Sequence, residues 1–293
     1  MSILATKRGP DFIIIGAMKC ATSSLHEQLA QQPGFFMSTP KEPNYFSDDD
    51  VYARGAGWYE GLFAGSEGAQ LRGESSTHYT KLPIYPRACS RMKEALPELK
   101  LIYMMRHPID RLVSHYMHEW TQRVIDRPID AAIDAHPELI AYSQYSRQLA
   151  PYLEAYGKDA VLPVFFKHFQ SNMQVELERV CRFLDYQGQP QVAHEVTNQN
   201  VSSERLRLGP LGQFIVDQPL LAAARRNLVP QLVRDLVKSR FQMRKRPELS
   251  AASRKRLVDI FDEDLAKFGA MLGIELNCEN FDNVTKQQAH DFI

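Results

Sequence analysis

Short apolar runs alternate along the chain with segments of helical periodicity. Residues 12–15 form an unbroken apolar run that ends at Gly16, and residues 99–105 form a second run that is apolar except for Lys100. Runs of this length that are rich in β-branched residues are typical of buried strands in a parallel sheet. A third run at residues 160–166 fits the same interpretation, although Pro163 lies inside it and proline is uncommon within strands.

Helical periodicity appears after each of these runs. Residues 24–29 follow the first run, and apolar side chains recur at helical spacing in residues 109–123 and 171–184. Ser171, with Gln174 three residues later, predicts an N-cap with a capping box for the last of these helices. A further apolar stripe at helical spacing consists of Leu257, Phe261, Leu265, Phe268 and Leu272, before Gly273.

The alternation of strands and helices predicts the fold class. It indicates an α/β fold in which a central parallel sheet is flanked by helices. Residues 40–95 and 185–250 are less regular, and we expect loops and helices there that cover the functional site. There are no internal repeats and no linker-like stretch, so residues 1–293 are predicted to form a single domain.

Composition narrows the functional classes. The chain has 35 basic and 35 acidic residues, a balance that argues against general nucleic-acid binding. Its four cysteines are far apart and show no zinc-type spacing, which favours free thiols in a reducing compartment. No apolar run is long enough for a signal peptide or a membrane span. We therefore expect a cytoplasmic protein without an integral membrane segment.

The segment that joins the first strand to the first helix carries the strongest chemical signal. Backbone N–H groups at the start of a helix form a cradle at the positive end of the helix dipole, where phosphate binds. Lys19 adds a positive charge to this cradle, and Thr22, Ser23 and Ser24 add hydroxyl groups. The alternative is a solvated lysine beside a helix cap. The sequence predicts a phosphate-binding loop.

A P-loop kinase or nucleotidase is the first alternative function. Its motif, GxxxxGK[ST], departs from this sequence because Lys19 follows Gly16 by only three residues and is itself followed by Cys20. The second strand leads into Arg106, where a magnesium-binding Asp would be expected in such an enzyme. The loop therefore fits a 5′-phosphate without the magnesium site of ATP hydrolysis.

The phosphate loop resembles a known family motif. GAMKCATSSL is similar to the 5′-phosphosulfate loop, PKxGTTxL, of sulfotransferases that use 3′-phosphoadenosine 5′-phosphosulfate (PAPS). Lys19 matches the lysine of that motif, Thr22 and Ser23 match its threonine pair, and Ala21 replaces its glycine. The resemblance implies a P-loop-like nucleotide-binding sulfotransferase fold and PAPS as the co-substrate, with no metal.

The second run leads into another motif of the same family. LIYMMRHPIDRLVSHY resembles the family's 3′-phosphate motif, in which R-x-P-x-x-R is followed by a serine on the next helix. The resemblance implies that Arg106 and Ser114 bind the 3′-phosphate, by a guanidinium fork and a hydroxyl donor. The alternative is that Arg106 and Arg111 form surface ion pairs.

A third motif supplies candidates for the catalytic base. KEPNYFSDD resembles the K-E-x-x-F-F motif of the heparan-sulfate-type branch, which implies that Glu42 accepts the acceptor's proton. Lys41 is then expected to steady the acceptor or the transferring group. GESSTHY resembles the branch's G-E-K-[ST]-P-x-Y segment, so Glu74 is expected to bind the acceptor, although Ser75 replaces the motif lysine. His78 is the alternative base.

The C-terminal part of the chain adds basic residues. RKRPELS resembles the family's basic loop, which implies that Arg244, Lys245 and Arg246 close over the donor phosphates; the alternative is a solvated basic run. The resemblance as a whole implies sulfuryl transfer from PAPS to a hydroxyl or amine of a carbohydrate, glycolipid or metabolite. A catalytically inactive nucleotide-binding scaffold is the second alternative function. The acceptor and the oligomeric state stay open.

Overall fold

A five-stranded parallel sheet organises the part of the chain that this computed structural model describes, residues 9–193 and 246–293. The strands are β1 (Phe12–Gly16), β2 (Phe35–Met37), β3 (Leu71–Ser75), β4 (Lys100–Met105) and β5 (Val161–Phe165). Their order across the sheet is β2-β3-β1-β4-β5, and every pairing is parallel. The prediction of an α/β fold with a central parallel sheet is confirmed.

Helices connect the strands. Those before β5 are α1 (Thr22–Ala30), α2 (Asp49–Tyr52), α3 (Ala56–Gly61), α4 (Ala88–Ala95), α5 (Pro108–Thr121), α6 (Ile129–Ala135), α7 (Glu138–Ala141) and α8 (Tyr145–Tyr156). Those after β5 are α9 (Phe166–Ser171), α10 (Met173–Phe183), α11 (Ala251–Met271) and α12 (Phe281–Gln287). Two short 3-10 turns lie at Thr77–Thr80 and Lys158–Ala160. Within the described residues, none of the helices has both the length and the apolar character needed to cross a membrane.

The two central strands form the middle of the core. Every residue of β1 is buried, as are all residues of β4 after Lys100, because helices cover both faces of the sheet. Pro163 is accommodated because β5 lies at an edge of the described sheet, where proline is tolerated. Its carbonyl accepts a hydrogen bond from Arg179 at 2.6 Å.

The sequence analysis missed two strands. β2 has three residues that are only partly buried, and β3 reads LRGES, which lacks an apolar run. Gly73 in β3 is required by close packing, because a Cβ atom there would lie 2.3 Å from the ring of Phe12. β3 forms through its pairing with β1, which a propensity-based reading does not detect.

The predicted N-cap at Ser171 is wrong. Ser171 is the last residue of α9, and α10 begins at Met173 after Asn172, with no side-chain cap hydrogen bond. The helical turn starts earlier than expected because His168 and Phe169 of α9 are buried. The predicted stripe before Gly273 is confirmed, since all five of its apolar residues are buried.

Candidate functional site

A cavity of about 420 Å³ opens where β1, β3 and β4 end. Because these strands are parallel neighbours, the segments that follow them meet at one edge of the sheet, the usual ligand edge of an open α/β fold. The lining residues are Met18, Lys19, Ala21, Thr22, Ser23, Ser24, Glu42, Thr77, His78, Lys81, Arg106, Ser114, His118 and Phe166. Most of the residues predicted for the site therefore share one cavity.

The phosphate loop forms one wall of this cavity. Lys19 and Ala21 have positive φ angles, 72° and 67°, which bend the chain sharply between β1 and α1. Helix α1 begins at Thr22 without a side-chain cap, so its positive end faces the cavity rather than a capping group. The loop thus combines a lysine, hydroxyl groups and a helix N-terminus, which together suit a phosphate group.

Arg106 and Ser114 contribute from the next strand and its helix. The Arg106 guanidinium lies 5.0 Å from the centre of the Phe166 ring, and its Nη2 is 3.8 Å from Asp110. Its Nε is buried and has no hydrogen-bond partner among the described residues. Ser114 faces the same cavity from α5. A buried donor without a partner is costly unless a ligand satisfies it, so this corner suits an anion.

Arg111 is neither a surface residue nor a cavity residue. It is fully buried; its Nε donates to the hydroxyl of Ser143, and its Nη2 donates to the Leu139 carbonyl at 2.7 Å. The alternative reading of Arg106 and Arg111 as surface ion-pair residues is therefore wrong for Arg111. The second arginine of the motif connects the start of α5 to α7.

Glu42 projects into the cavity from the loop before α2. Its N–H donates to the Ser75 carbonyl at 2.9 Å, which fixes the backbone beside the end of β3. Its carboxylate accepts from Lys41 Nζ at 3.3 Å and from Thr77 Oγ1 at 3.2 Å. The side chain is 33% exposed, so its carboxylate is accessible from the cavity. This arrangement holds the first candidate base at the cavity wall.

His78 also lines the cavity. Its ring stacks on Tyr85 with centroids 4.8 Å apart, and Nδ1 is buried without a partner among the described residues. Burial and then the nearby Lys81 lower the pKa of His78 to about 4, so its imidazole is neutral at neutral pH. The structure thus places both candidate bases at the cavity.

The sequence analysis did not find Lys81, a further cationic side chain that lines the cavity together with Lys19 and Arg106. Only 9% of the residue is exposed, and its ammonium lies 5.9 Å from the centre of the Tyr142 ring. Burial lowers the pKa of Lys81 to about 8. Its position in the sequence, three residues after His78, was the only available signal.

Three described residues predicted for the site do not line the cavity: Lys41, which contacts the lining residues Ser23 and Glu42, and Glu74 and Arg246, which lie away from it. Glu74 is fully buried, and its carboxylate accepts hydrogen bonds from Tyr59, Ser76 and Tyr79. The expectation that Glu74 touches the acceptor is contradicted by that placement, because no part of it reaches the cavity surface. Arg246 is exposed and pairs with Asp110 at 2.5 Å, outside the cavity lining.

Two of the basic residues predicted for the site have no described position. Arg244 and Lys245 lie outside the described residues. Among residues 9–193 and 246–293, no cluster of three or more His, Cys, Asp or Glu side chains is arranged to hold a metal ion.

Comparison with known proteins shows what this chain is similar to. Residues 62–190 match the family model described as "Sulfotransferase family". The matched segment makes up less than half of this chain, so it shows that this segment is similar to the sulfotransferase family. It contains Arg106, Ser114 and Lys81, and it begins after the phosphate loop and Glu42. The predicted resemblance to sulfotransferases is confirmed.

Curated sulfotransferases match this chain in part. The membrane-associated sulfotransferase kil1 of Dictyostelium discoideum is 31% identical over 130 residues, which are 43% of this chain and 26% of that protein. Mouse heparan sulfate glucosamine 3-O-sulfotransferase 3B1 is 29% identical over 192 residues, which are 61% of this chain and 47% of that protein. The chain thus spans about a quarter to a half of the length of these relatives.

A solved structure extends the likeness in fold to most of this chain's length. The sulfotransferase from Alicyclobacillus acidocaldarius superposes with a TM-score of 0.63, covering 91% of this chain and 97% of that chain. The two sequences are 23% identical, so the likeness concerns the fold. The predicted sulfotransferase fold is confirmed by it.

Proposed function

We propose that this protein transfers a sulfuryl group from PAPS to a hydroxyl or amine of a carbohydrate, glycolipid or metabolite. One observation carries the proposal: a single cavity joins the Lys19 loop to the separate anion corner at Arg106 and Ser114. PAPS has phosphate groups at both the 5′ and the 3′ positions of its ribose. Two anion sites on neighbouring parallel strands suit such a donor better than they suit a nucleotide with one phosphate chain.

In the proposed reaction, the donor's sulfuryl group moves in line from the 5′-phosphate to the acceptor. The bond from sulfur to the acceptor oxygen or nitrogen forms while the bond from sulfur to the phosphate oxygen breaks. Adenosine 3′,5′-bisphosphate leaves with the bonding electrons. Lys19 and the start of α1 stabilise the negative charge that develops on its phosphate. Arg106 and Ser114 hold the 3′-phosphate and so orient the donor.

Glu42 is the proposed base of this reaction. It takes the proton that the acceptor loses as the new bond forms. The support is geometric, because Lys41 connects the Glu42 carboxylate to the Ser23 hydroxyl of the phosphate loop. A proton acceptor tied to the donor site is well placed for a group that arrives in line with it. His78 is the second candidate for this role.

Several wider properties belong to the same proposal. We extend it to a single domain over residues 1–293, to catalysis without a metal ion, and to a cytoplasmic location. All four cysteines, Cys20, Cys89, Cys181 and Cys278, are free, which suits a reducing compartment. The heparan sulfate enzymes among the relatives support a carbohydrate-type acceptor.

Calorimetric titration with adenosine 3′,5′-bisphosphate in magnesium-free buffer tests the donor site. We expect tight binding that AMP and ATP do not match and that Arg106→Ala loses, because the 3′-phosphate then lacks its guanidinium partner. Arg182→Ala, an exposed arginine on α10, is the matched control and should bind like the wild type. Binding of ATP only, and only with magnesium, would favour the kinase or nucleotidase alternative.

Transfer of ³⁵S from labelled PAPS to a panel of saccharides, glycolipids and small alcohols then tests catalysis. Label in any acceptor, abolished by Glu42→Gln, supports the proposed enzyme. Tight bisphosphate binding without transfer to any acceptor would favour the catalytically inactive scaffold.

A further inference from the structure

The loop that carries Glu42 adopts an uncommon backbone conformation. Glu42 and Asn44 have φ angles of 56° and 55°, and Pro43 lies between them. Side chains other than glycine disfavour this left-handed region, so neighbouring contacts must hold the two residues there. Because Pro43 has a nearly fixed φ, a constraint on Asn44 is passed on to Glu42.

One of those contacts leads to a buried carboxylate. The Asn44 N–H donates to Ser76 Oγ at 3.1 Å, and Ser76 Oγ donates to Glu74 Oε1 at 2.6 Å. Tyr79 Oη donates to the same Oε1 at 2.7 Å. Tyr59 donates to the other oxygen, Oε2. Glu74 and the three residues that donate to it are shielded from solvent.

The Glu74 carboxylate accepts hydrogen bonds from all three hydroxyl groups. The single proton of Ser76 Oγ is therefore directed at Glu74. The hydroxyl's lone pairs are then left to accept the Asn44 N–H. Tyr79 Oη behaves in the same way. It donates its proton to Glu74, and it accepts the Phe46 N–H, 3.5 Å away, from the next part of the loop. Burial raises the pKa of Glu74, whereas its three hydroxyl donors act in the opposite direction.

The end of β3 also holds the functional end of Glu42. Thr77, which follows Ser76, donates to Glu42 Oε2 at 3.2 Å. The Ser75 carbonyl accepts from the Glu42 N–H at 2.9 Å. Three consecutive residues after Glu74 therefore fix the backbone of this loop and the carboxylate that it carries.

We propose that Glu74 is a positioning residue, which holds the Glu42 loop in its catalytic conformation through Ser76. This inference rests on the proposed function, because it takes Glu42 as the base. It replaces the expected contact between Glu74 and the acceptor. Losing the Ser76 link lets Asn44 and Pro43 relax, and the Glu42 carboxylate moves away from the reacting hydroxyl.

Two hydroxyl groups provide a matched pair of variants. Ser76→Ala and Tyr59→Phe each remove one hydrogen-bond donor from Glu74, but only Ser76 also contacts the loop backbone. The Tyr59 ring stacks on Tyr45 at 4.5 Å, and phenylalanine retains that stacking. Neither residue lines the cavity. Comparing the two variants therefore distinguishes the effect of losing the loop contact from the effect of removing a hydrogen bond to Glu74.

Transfer from labelled PAPS to desulfated heparan sulfate, or to the best acceptor of the panel, measures the catalytic effect. We expect Ser76→Ala to lower kcat by about tenfold or more, because a displaced catalytic group loses its alignment. The KM for PAPS and the affinity for adenosine 3′,5′-bisphosphate should change by less than about twofold in the same variant, because the donor site is intact. Tyr59→Phe should leave kcat within about twofold of the wild type. Equal losses of kcat in both variants, or no loss in Ser76→Ala, overturn the inference.

Amide hydrogen exchange of the free protein supplies a readout that does not need an acceptor. The peptide that contains residues 41–46 should exchange faster in Ser76→Ala, and at the wild-type rate in Tyr59→Phe. Unchanged exchange in Ser76→Ala overturns the inference even if the enzyme is active. A wild type that binds the bisphosphate but transfers no label overturns the proposed function instead, and the exchange comparison then decides the positioning role by itself.

Discussion

Lys41 Nζ donates to the hydroxyl of Ser23 at 2.7 Å, so the loop before α2 is joined directly to the phosphate loop. The same ammonium lies 3.3 Å from Glu42 Oε1. These contacts connect two sequence motifs that are about twenty residues apart in the chain. In the proposed reaction, Lys41 therefore couples the position of the base to the position of the donor.

Replacing Lys41 tests this coupling. We expect Lys41→Met to lower kcat by about tenfold, because Glu42 loses a charged partner and the tie to Ser23. Binding of adenosine 3′,5′-bisphosphate, followed by calorimetry, should weaken by less than about threefold, since Lys19 and Arg106 remain. Lys158→Met removes an exposed lysine and serves as the control. A loss of bisphosphate affinity as large as the loss of kcat would assign Lys41 to the donor site instead.

The two candidate bases make opposite predictions. If Glu42 is the base, Glu42→Gln should reduce kcat by about a hundredfold or more, within the usual range for general base catalysis. His78→Gln should then reduce kcat by less than about tenfold, because a neutral histidine at the wall acts only through contacts. Single-turnover transfer of label measures both rates. The reverse order of effects would identify His78 as the base.

The fold was predictable where apolar residues are continuous. β1, β4 and β5 were identified from their apolar runs, and their parallel order follows from the helices between them. β3 was not predictable, because its LRGES sequence forms a strand only by pairing with β1. The error at Ser171 has a similar cause, since burial of Phe169 moved the helix start away from the local capping signal.

The site was predictable where chemistry lies next to a strand end. Lys19 and Arg106 were found because each follows a strand, and β1 and β4 are neighbours in the sheet. Lys81 was missed and Glu74 was assigned to the acceptor, because neither directly follows an apolar strand. Tertiary packing decides whether a charged side chain faces a cavity or a buried cluster of hydroxyl groups, and motif spacing does not predict that packing.

Catalysis without a metal ion is tested by chelation. The cavity's positive charge comes from Lys19, Lys81, Arg106 and the start of α1. We therefore expect dialysis against EDTA to leave the rate of label transfer within about twofold of its starting value, because those groups stay in place. Added magnesium or zinc should restore nothing. Activity that is lost on chelation and recovered with one metal would contradict this part of the proposal.

Arg111 should matter for stability more than for donor binding. Arg111→Lys removes the fork that reaches Ser143 and the Leu139 carbonyl, and it leaves a charge in a fully buried site. We expect a loss of about 3 kcal/mol in the free energy of unfolding, the scale found when a buried charged network is broken. Urea denaturation measures it, with Arg182→Lys as the exposed control. A loss no larger than the control's would contradict the buried role.

The protonation of Lys81 gives donor binding a pH dependence. Burial lowers the pKa of Lys81 to about 8, so the side chain is a cation at neutral pH and becomes neutral as the pH rises above that value. Adenosine 3′,5′-bisphosphate is an anion throughout this range. If Lys81 contributes to binding, the affinity of the wild type for the bisphosphate should weaken by about fivefold as this charge is lost. Lys81→Arg keeps its charge at high pH and should remove that part of the decline. Lys81→Met should bind more weakly at neutral pH and also lack the decline.

Calorimetric titrations on both sides of the pKa, at constant ionic strength, measure the effect. If all three proteins lose affinity in parallel, another group causes the decline, and Lys81 does not contribute to donor binding.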